Sequence, residues 1–521
     1  MTPERTSPEL RFATPHGQGV TGATQARNVE RGEIPAILSE LTSREHARFV
    51  DVFGIDHGAE LQLNLLLAVD ARGQWRHLRM VLPREDATFP SITTTVSAAD
   101  WYEREIWSEL GASPEGHPSL AVLRLPTGWP QAVYPLRQGW KWKNQIALSE
   151  DGQQGSLHQS PEGVVDYPLG PIRSGVVESG HYLLRTVGEE IVDIRLRLFY
   201  KHRGIETLAV GLGPLHLPLV AERISGTDAF HESLALCQAL ETIAGVQCPP
   251  RAIALRTLYA ELERLYNHFG YQADLCQATG LVVAQAQFDI LKQRVLRLNR
   301  SAGHRYLFGL NIPGGLSRDL DGEDAWFVRD QIDLIRRDFS KVSRLTFSSP
   351  SHLDRLEGTG ILTPADASAY ATVGPIARAS DQNRDLRRDF PYAGYRDVDF
   401  DVPIQSRGDA LARARVRQDE TFQSLRILMQ ILDHLPSGPV CVAVTELPAN
   451  RYAFGWAESA RGETLHWVFT DSAGRVRRYR VRTASFVNCQ AFPLAVPGHN
   501  ILTDFPVIEQ SFGLSYAGND R

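Results

Sequence analysis

Residues 222–233 read ERISGTDAFHES, and residues 234–248 continue LALCQALETIAGVQC. The second stretch carries apolar residues at helical spacing. Ser225, Gly226, Thr227 and Asp228 therefore form a turn that delivers the chain into a long helix. Ser and Asp are ordinary residues at a helix start, because their side-chain oxygens accept hydrogen bonds from free backbone N–H groups. The same turn can instead present Ser225 and Asp228 to a reaction centre. The rest of the sequence has to decide between these two uses.

Downstream of the turn, three further stretches have apolar residues at three- and four-residue steps. They are RAIALRTLYAELERLYNHFGYQADLCQ, VVAQAQFDILKQRVLRLNRSAG and DALARARVRQDETFQSLRILMQILDHL. Long helices of this kind pack as a bundle. Upstream, HYLLRTV, GEE and IVDIRLRLFY predict a β-hairpin. Strand signals return near the end in AFGWAESARGETLHWVFTD and, after a turn at SAG, in RVRRYRVRTASF. Within it the alternating run RVRRYRVR (475–482) predicts one solvated strand face.

Residues 31–137 read as a separate α+β unit. EIPAILSELTSREHARFVDVFGID predicts a helix and then a strand. LQLNLLLAVD, a turn at ARGQ and WRHLRMVLP predict a hairpin. AADWYEREIWSELG predicts an amphipathic helix with Trp101, Ile106 and Leu110 on one face. Residues 138–168 are rich in Gly, Gln and Ser and read as a linker that contains the domain boundary. The first 30 residues read as a mobile tail with no apolar signal-peptide core. The expected class is α+β: a tail (1–30), an α+β domain (31–137), a linker (138–168) and a domain centred on a helix bundle with peripheral β-hairpins (169–521).

Bulk properties exclude several functions. The 521 residues exceed one typical core. A net charge of -6 argues against a nucleic-acid surface, which needs an excess of Lys and Arg. No apolar run approaches the roughly 18 residues that cross a bilayer, so the expectation is a cytoplasmic protein that meets the membrane only through partners. Cys237, Cys248, Cys276, Cys441 and Cys489 show no C-x2-C spacing, which predicts buried reduced thiols and no cluster bound by this chain. No nucleotide-binding glycine loop, H-E-x-x-H helix or nucleophile elbow is present. The pairs His231–Glu232 and His202–Arg203 read as structural or surface groups. The chain thus lacks a self-sufficient active site, which suggests a subunit whose chemistry is shared.

The motifs, taken in order, do resemble a family. FVDVFGID with its hairpin, then AADWYEREIWSELG, EGHPSL and YPLR, is similar to the 30-kDa subunit of NADH–quinone oxidoreductase, respiratory complex I. From residue 169 the chain resembles the 49-kDa subunit of complex I and the large subunit of membrane-bound nickel–iron hydrogenases. LGPIRSG, FYKHRGIE, ERISGTDAFHESLALCQALE, LRTLYAELERLYNHFG, RRDFPYAGY, DVPIQSRGDALAR, ESARGE, TASFVN and SFGLSYAGNDR carry that likeness. The fused arrangement resembles the large subunit of formate hydrogenlyase-type complexes.

The resemblance implies what the opening turn would hold. In the hydrogenases it reads C-G-I-C and its thiolates bind nickel, with a second C-x-x-C near the C-terminus. Here Ser225 and Asp228 stand at the first pair, around Gly226, and Ser515 and Gly518 at the second. A hydroxyl and a carboxylate do not reproduce the soft thiolate set. The clipped tail of hydrogenase precursors has no expected counterpart after Arg521. In complex I a His in a G-P-x-H loop and a Tyr in the turn bind the quinone head group, and here those positions hold Arg173 and Gly226. The resemblance implies a nickel-free subunit, not an active hydrogenase, peripheral on the cytoplasmic side of the inner membrane. Its expected partners are a small iron–sulfur subunit with a [4Fe–4S] cluster and membrane-arm subunits of antiporter-like and helical type.

On this reading electrons from NAD(P)H or another donor arrive through partners and pass toward a quinone-like acceptor, or the redox change drives ion movement. The alternatives are a non-catalytic scaffold that docks the iron–sulfur subunit, or an enzyme with another metal or small acceptor at Asp228. The ESARGE motif implies that Arg461 points into the cavity. Asp228 is then expected to pair with it, with Arg173, Glu178 and Glu232 as further cavity residues.

Overall fold

The computed structural model describes residues 26–140, 146–149, 161–173 and 178–521. The expected tail up to residue 25 and most of the 138–168 linker lie outside them. The last residues of that linker stretch join a strand, Val165–Leu169, which pairs antiparallel with His181–Val187.

The N-terminal unit follows its sequence signals. The helix Ile34–Arg44 leads into the strand Arg48–Asp56, and Glu60–Val69 pairs antiparallel with Gln74–Pro83 as the predicted hairpin. The sheet order places Glu60–Val69 between Arg48–Asp56 and Gln74–Pro83, with the short Arg27–Asn28 strand at the edge. LQLNLLLAV shows no clean apolar/polar alternation because both faces of this sheet are buried. Leu61, Leu63, Leu65 and Leu67 face one core, and Leu66 and Ala68 face another. Tyr102, Ile106 and Leu110 of the AADWYEREIWSELG helix close the first core, while Trp101 is half-buried beside it.

The second core is shared with the C-terminal half. There Tyr452–Ser459, Gly462–Thr470 and Val476–Arg482 form a meander with the middle strand central. Phe53 meets Trp467 at 5.2 Å and Trp75 meets Phe390 at 4.2 Å between ring centroids. Aromatic packing of this kind makes the domain boundary a continuous interior. Behind the meander lies the helix Ala229–Ala244, which approaches so closely that a Cβ on Gly455 would sit 2.0 Å from the carbonyl oxygen of Ala235.

The bundle contains the three predicted long helices, Pro250–Ala278, Val282–Leu298 and Ala410–Asp433. It also contains a long helix beyond the three expected from the sequence, Gly322–Phe347. Its buried residues Val328, Ile332, Ile335, Phe339 and Val342 recur at helical spacing, so the signal was present. Among the described residues no helix is long and apolar enough to cross a membrane. All five cysteines are free, four of them buried and Cys441 half-buried. Burial pushes the Cys248 and Cys276 thiols up to about 12, which keeps them protonated and unreactive.

One expectation is overturned. RVRRYRVR is not a solvated face: Arg478, Arg480 and Arg482 are buried at the seam between the two domains. Arg480 pairs with Asp51 at 2.9 Å and with Glu105, both from the N-terminal domain. Arg478 pairs with Glu206 at 2.7 Å, and Arg482 with Glu463. Tyr479 and Val481 point the other way, into the core under the Ala229–Ala244 helix. The alternation is that of a strand, but acidic side chains from distant parts of the chain replace water on its charged face.

Candidate functional site

Asp228 occupies the residue before the Ala229–Ala244 helix, yet its side chain makes no capping hydrogen bond. Its backbone closes the turn instead, donating from its N–H to the carbonyl of Ser225 at 3.0 Å. The carboxylate faces Arg461. Nη1 of Arg461 lies 2.8 Å from Oδ1 and 2.6 Å from Oδ2, and Ser225 Oγ donates to Oδ2 at 2.8 Å. The side chain of Asp228 is 4% exposed and that of Arg461 19%. The turn therefore presents its carboxylate to a charge partner from the ESARGE segment.

Arg461 is held from several sides. Its Nε donates to the carbonyl of Gly513 at 2.9 Å, and Nη1 also reaches Asn267 Oδ1 at 3.2 Å. The tight turn that carries it between two strands packs on the backbone at Gly374, where a Cβ would lie 2.3 Å from the Arg461 carbonyl oxygen and where φ is +69°. Glycine at 374 is therefore required both by space and by backbone conformation. Among the described residues Nη2 of Arg461 has no hydrogen-bond partner.

The C-terminal turn meets the first one. Ser515 Oγ lies 3.3 Å from Ser225 Oγ, and a Cβ on Gly518 would lie 3.6 Å from that of Ser225. The four positions Ser225, Asp228, Ser515 and Gly518, separated by up to 293 residues (518 − 225), thus converge. Ser515, unlike Asp228, is a true cap: Oγ accepts from the Gly518 N–H at 3.0 Å. Glu178 joins here, accepting from the N–H groups of Tyr516 and, at 3.2 Å, Ala517. Gly226 lines the same turn, with Phe308 across from it.

Two expected cavity residues point elsewhere. Arg173 does not extend the Asp228–Arg461 pair. It binds Glu509, with Nη1 at 2.9 Å, and its guanidinium lies over the Tyr182 ring at 5.2 Å. Glu509 also accepts from Tyr516 OH, which the Tyr182 hydroxyl contacts in turn. Glu232 lies one turn into the helix and faces the meander, accepting from Thr464 Oγ1 at 2.9 Å and meeting His466 Nε2 at 2.7 Å.

Several residues of the site went unread in the sequence. Asn267 and Tyr266 both donate to the Thr227 carbonyl, at 2.7 and 2.9 Å, and so pin the turn to the Pro250–Ala278 helix. Glu263, one turn earlier, accepts from the N–H groups of Phe230 and His231 at 2.8 and 2.9 Å and meets the His231 ring. This buried carboxylate caps the helix in place of Asp228, and burial raises its pKa. The signal was the i, i+4 spacing of Glu263 and Asn267 within LERLYNHFG.

The donor set does not fit nickel. Two hydroxyls and one carboxylate converge, Gly518 adds no side chain, and both carboxylate oxygens are already bound by a guanidinium. A cation placed there would have to displace Arg461, and oxygen donors do not select nickel as thiolates do. Among the described residues no group of three or more His, Cys, Asp or Glu side chains is arranged to hold a metal ion.

The chain is similar to known proteins over most of its length. The model of the 49-kDa subunit of respiratory-chain NADH dehydrogenase matches residues 284–452 and 443–521, and that of the 30-kDa subunit matches residues 27–145. Formate hydrogenlyase subunit 5 of Escherichia coli (strain K12) is 32% identical over 454 residues, covering 86% of this chain and 79% of that protein. The fused C/D polypeptide of NADH-quinone oxidoreductase from Methylococcus capsulatus is 28% identical over 533 residues, covering 93% and 90%. Among solved structures, a chain of the membrane-bound sulfane sulfur reductase, an archaeal respiratory membrane complex, superposes with a TM-score of 0.66. It is 26% identical, and the match covers 69% of this chain and 99% of that one.

Proposed function

Since the chain belongs to the family of fused 30-kDa and 49-kDa subunits that includes formate hydrogenlyase subunit 5 and the C/D polypeptides of NADH-quinone oxidoreductase, we propose that it works as a nickel-free redox subunit of a membrane-bound respiratory complex. In this reading an iron–sulfur subunit docks beside the Ser225–Asp228 turn and supplies electrons. A quinone-like acceptor takes them, or the redox change drives ion movement in membrane partners. The observation that carries the reading is the Asp228–Arg461 ion pair at the four converging positions. It balances charge where the hydrogenase-like relatives are expected to hold a metal. Nη2 of Arg461, which has no hydrogen-bond partner among the described residues, is the donor available to an acceptor oxygen as negative charge develops on it.

The run of hydrogen bonds from Ser515 through Ser225 to Asp228 favours a second reading, a scaffold that docks an iron–sulfur subunit and performs no chemistry itself. The experiment is to purify the chain with its bound partners and measure metal content and quinone reduction. We expect no stoichiometric nickel, no hydrogen evolution, and a co-purifying small iron–sulfur subunit. Arg461→Lys keeps a charge opposite Asp228 but loses the second arm of the fork, so quinone reduction falls by about 100-fold. A complex with about one nickel per chain at this turn sinks the nickel-free reading. A complex with no quinone reductase activity, whose assembly is unaffected by Arg461→Lys, favours the scaffold.

A further inference from the structure

Beneath the meander, away from the Asp228 turn, lies a cluster of fully buried charges that neither reading uses. The Pro250–Ala278 helix contributes Glu261, Arg264 and His268. Arg378 comes from the helix Gly374–Ala379, and Asp385 and Arg387 from the start of Leu386–Asp389. Glu420 comes from Ala410–Asp433 and Glu458 from the strand Tyr452–Ser459. Within ion-pair distance, four carboxylates (Glu261, Asp385, Glu420, Glu458) meet three guanidiniums (Arg264, Arg378, Arg387). Arg417, one turn before Glu420, does not join them: its guanidinium turns to the carbonyls of Ser511 and Phe512 and lies 3.8 Å from the Tyr271 ring centroid. His268 holds Glu420 Oε2 at 2.9 Å, but burial pushes its pKa down to about 4, so it supplies no charge at neutral pH. Counted within ion-pair distance among the described residues, the cluster is one positive charge short, and an uncompensated buried charge is resolved by taking up a proton.

The hydrogen bonds show which carboxylate takes it. Asp385 grips Arg387 through both oxygens, at 2.7 and 3.0 Å, and Arg378 at 3.3 Å. Glu261 has two guanidiniums and the hydroxyls of Tyr395 and Ser424. Glu420 has Arg378 and His268. Among the described residues Glu458 has only Arg378 Nη1 at 3.0 Å, shared with Asp385, and a long contact of 3.3 Å from the Leu386 N–H on its other oxygen. The Tyr392 hydroxyl bonds to the backbone N–H and carbonyl of Glu458.

Glu458 also borders a polar cavity of about 10 Å3, close to the room of a single water. The other charged residues that line it are Arg48, Asp70, Arg384, Asp385, Asp389 and Glu463. Arg48 Nη1 and Arg384 Nε are buried without a hydrogen-bond partner among the described residues, as expected of donors that serve a water. Asp70, one of the lining residues at the domain seam, has a side chain that is 23% exposed.

We propose that Glu458 is a buried proton-exchange site, whose carboxyl carries the odd proton of the cluster and trades it with solvent through the polar cavity at the domain seam. Burial, and then the Asp385 carboxylate, push Glu458 up to about 7. Asp385 is held down to about 2 by Arg387 and Arg378 against the opposing effect of burial. A charge thus appears and disappears near neutral pH three residues before Arg461, on the strand that leads into its turn. This holds whether or not the Asp228 turn reduces a quinone.

Two measurements on the full chain test it. Infrared difference spectra between about pH 6 and pH 8 should show a buried protonated carboxyl stretch that is lost as pH rises and is missing in Glu458→Gln. In denaturant unfolding, Gln mimics the protonated acid. The native pKa lies above the ordinary 4.5, so the native form holds more protons and wild type loses stability as pH rises from about 4.5 to 7. The unfolding midpoint of Glu458→Gln relative to wild type should therefore rise over that window, while Asp385→Asn is strongly destabilised throughout. The proposal is overturned if Glu458→Gln is as damaging at pH 6 as Asp385→Asn, or fails to fold, since either shows that the charged form is needed. An infrared band that persists in Glu458→Gln overturns it equally.

Discussion

Asp228→Ala destabilises the chain by about 3–5 kcal/mol, whereas Ser515→Ala costs about 1 kcal/mol. The difference follows from what each leaves behind. Removing the Asp228 carboxylate strands Arg461, a cation that cannot shed its proton, among the Gly513 carbonyl, Asn267 and the turn. Removing the Ser515 hydroxyl leaves one short helix without its cap, and Glu178 still satisfies the N–H groups of Tyr516 and Ala517. Pairing need not make the site more stable than an apolar filling would, because both charges lose water. The test is a double-mutant cycle on Asp228 and Arg461 read by denaturant unfolding. Alanine at both positions should cost less than the sum of the single changes, with an interaction energy of about 1–3 kcal/mol. An Asp228→Ala cost near 1 kcal/mol, with additive singles, means the carboxylate does no more than an ordinary helix-start residue.

The pairing of Asp228 with Arg461 was legible only through resemblance, because 233 residues separate the two. Local pattern supplied the helices, the hairpins and the turn before LALCQALETIAG. It supplied the wrong environment for RVRRYRVR. Alternating Arg and apolar residues describe a strand correctly, but whether water or acid covers the charged face depends on Asp51, Glu105 and Glu206. Those residues lie hundreds of positions away, and nothing near 475–482 announces them. Arg173 failed in the same way: GPIRSG suggested a cavity donor, and its partner Glu509 is 336 residues downstream. The helix Gly322–Phe347 is a different miss. Its apolar stripe was in the sequence and is diluted by charged residues on the other faces, as on any helix at the edge of a bundle.

The buried arginine strand has the other large expected effect. Arg480 is fully buried and meets Asp51, Glu105 and, at 3.4 Å, Glu206. Arg521 and Arg124 also contact Glu105, at 2.9 and 3.2 Å, so this carboxylate gathers cations from both domains. Truncating Arg480 to Ala leaves Asp51 with no other cation within ion-pair distance among the described residues, and it should cost at least about 3–5 kcal/mol. Arg480→Met restores the volume without the charge, so it should recover little. Arg475→Ala, on the exposed end of the same run, should stay within about 0.5 kcal/mol of wild type. The same seam sets the response to acid. Arg478 and Arg480 hold Glu206 down to about 2 against the opposing effect of burial, and Arg124 and Arg480 hold Glu105 lower still. A depressed carboxylate contributes stability that is complete above its unfolded value of 4.5 and is lost as pH falls toward the native one. Wild type should therefore lose stability steeply between about pH 4.5 and 2, and Arg480→Ala, which removes one of the cations that hold Glu105 and Glu206 down, should show a shallower slope there. Equal unfolding midpoints for Arg480→Ala and Arg475→Ala would mean that the domains are joined by the Phe53, Trp75 and Trp467 packing alone.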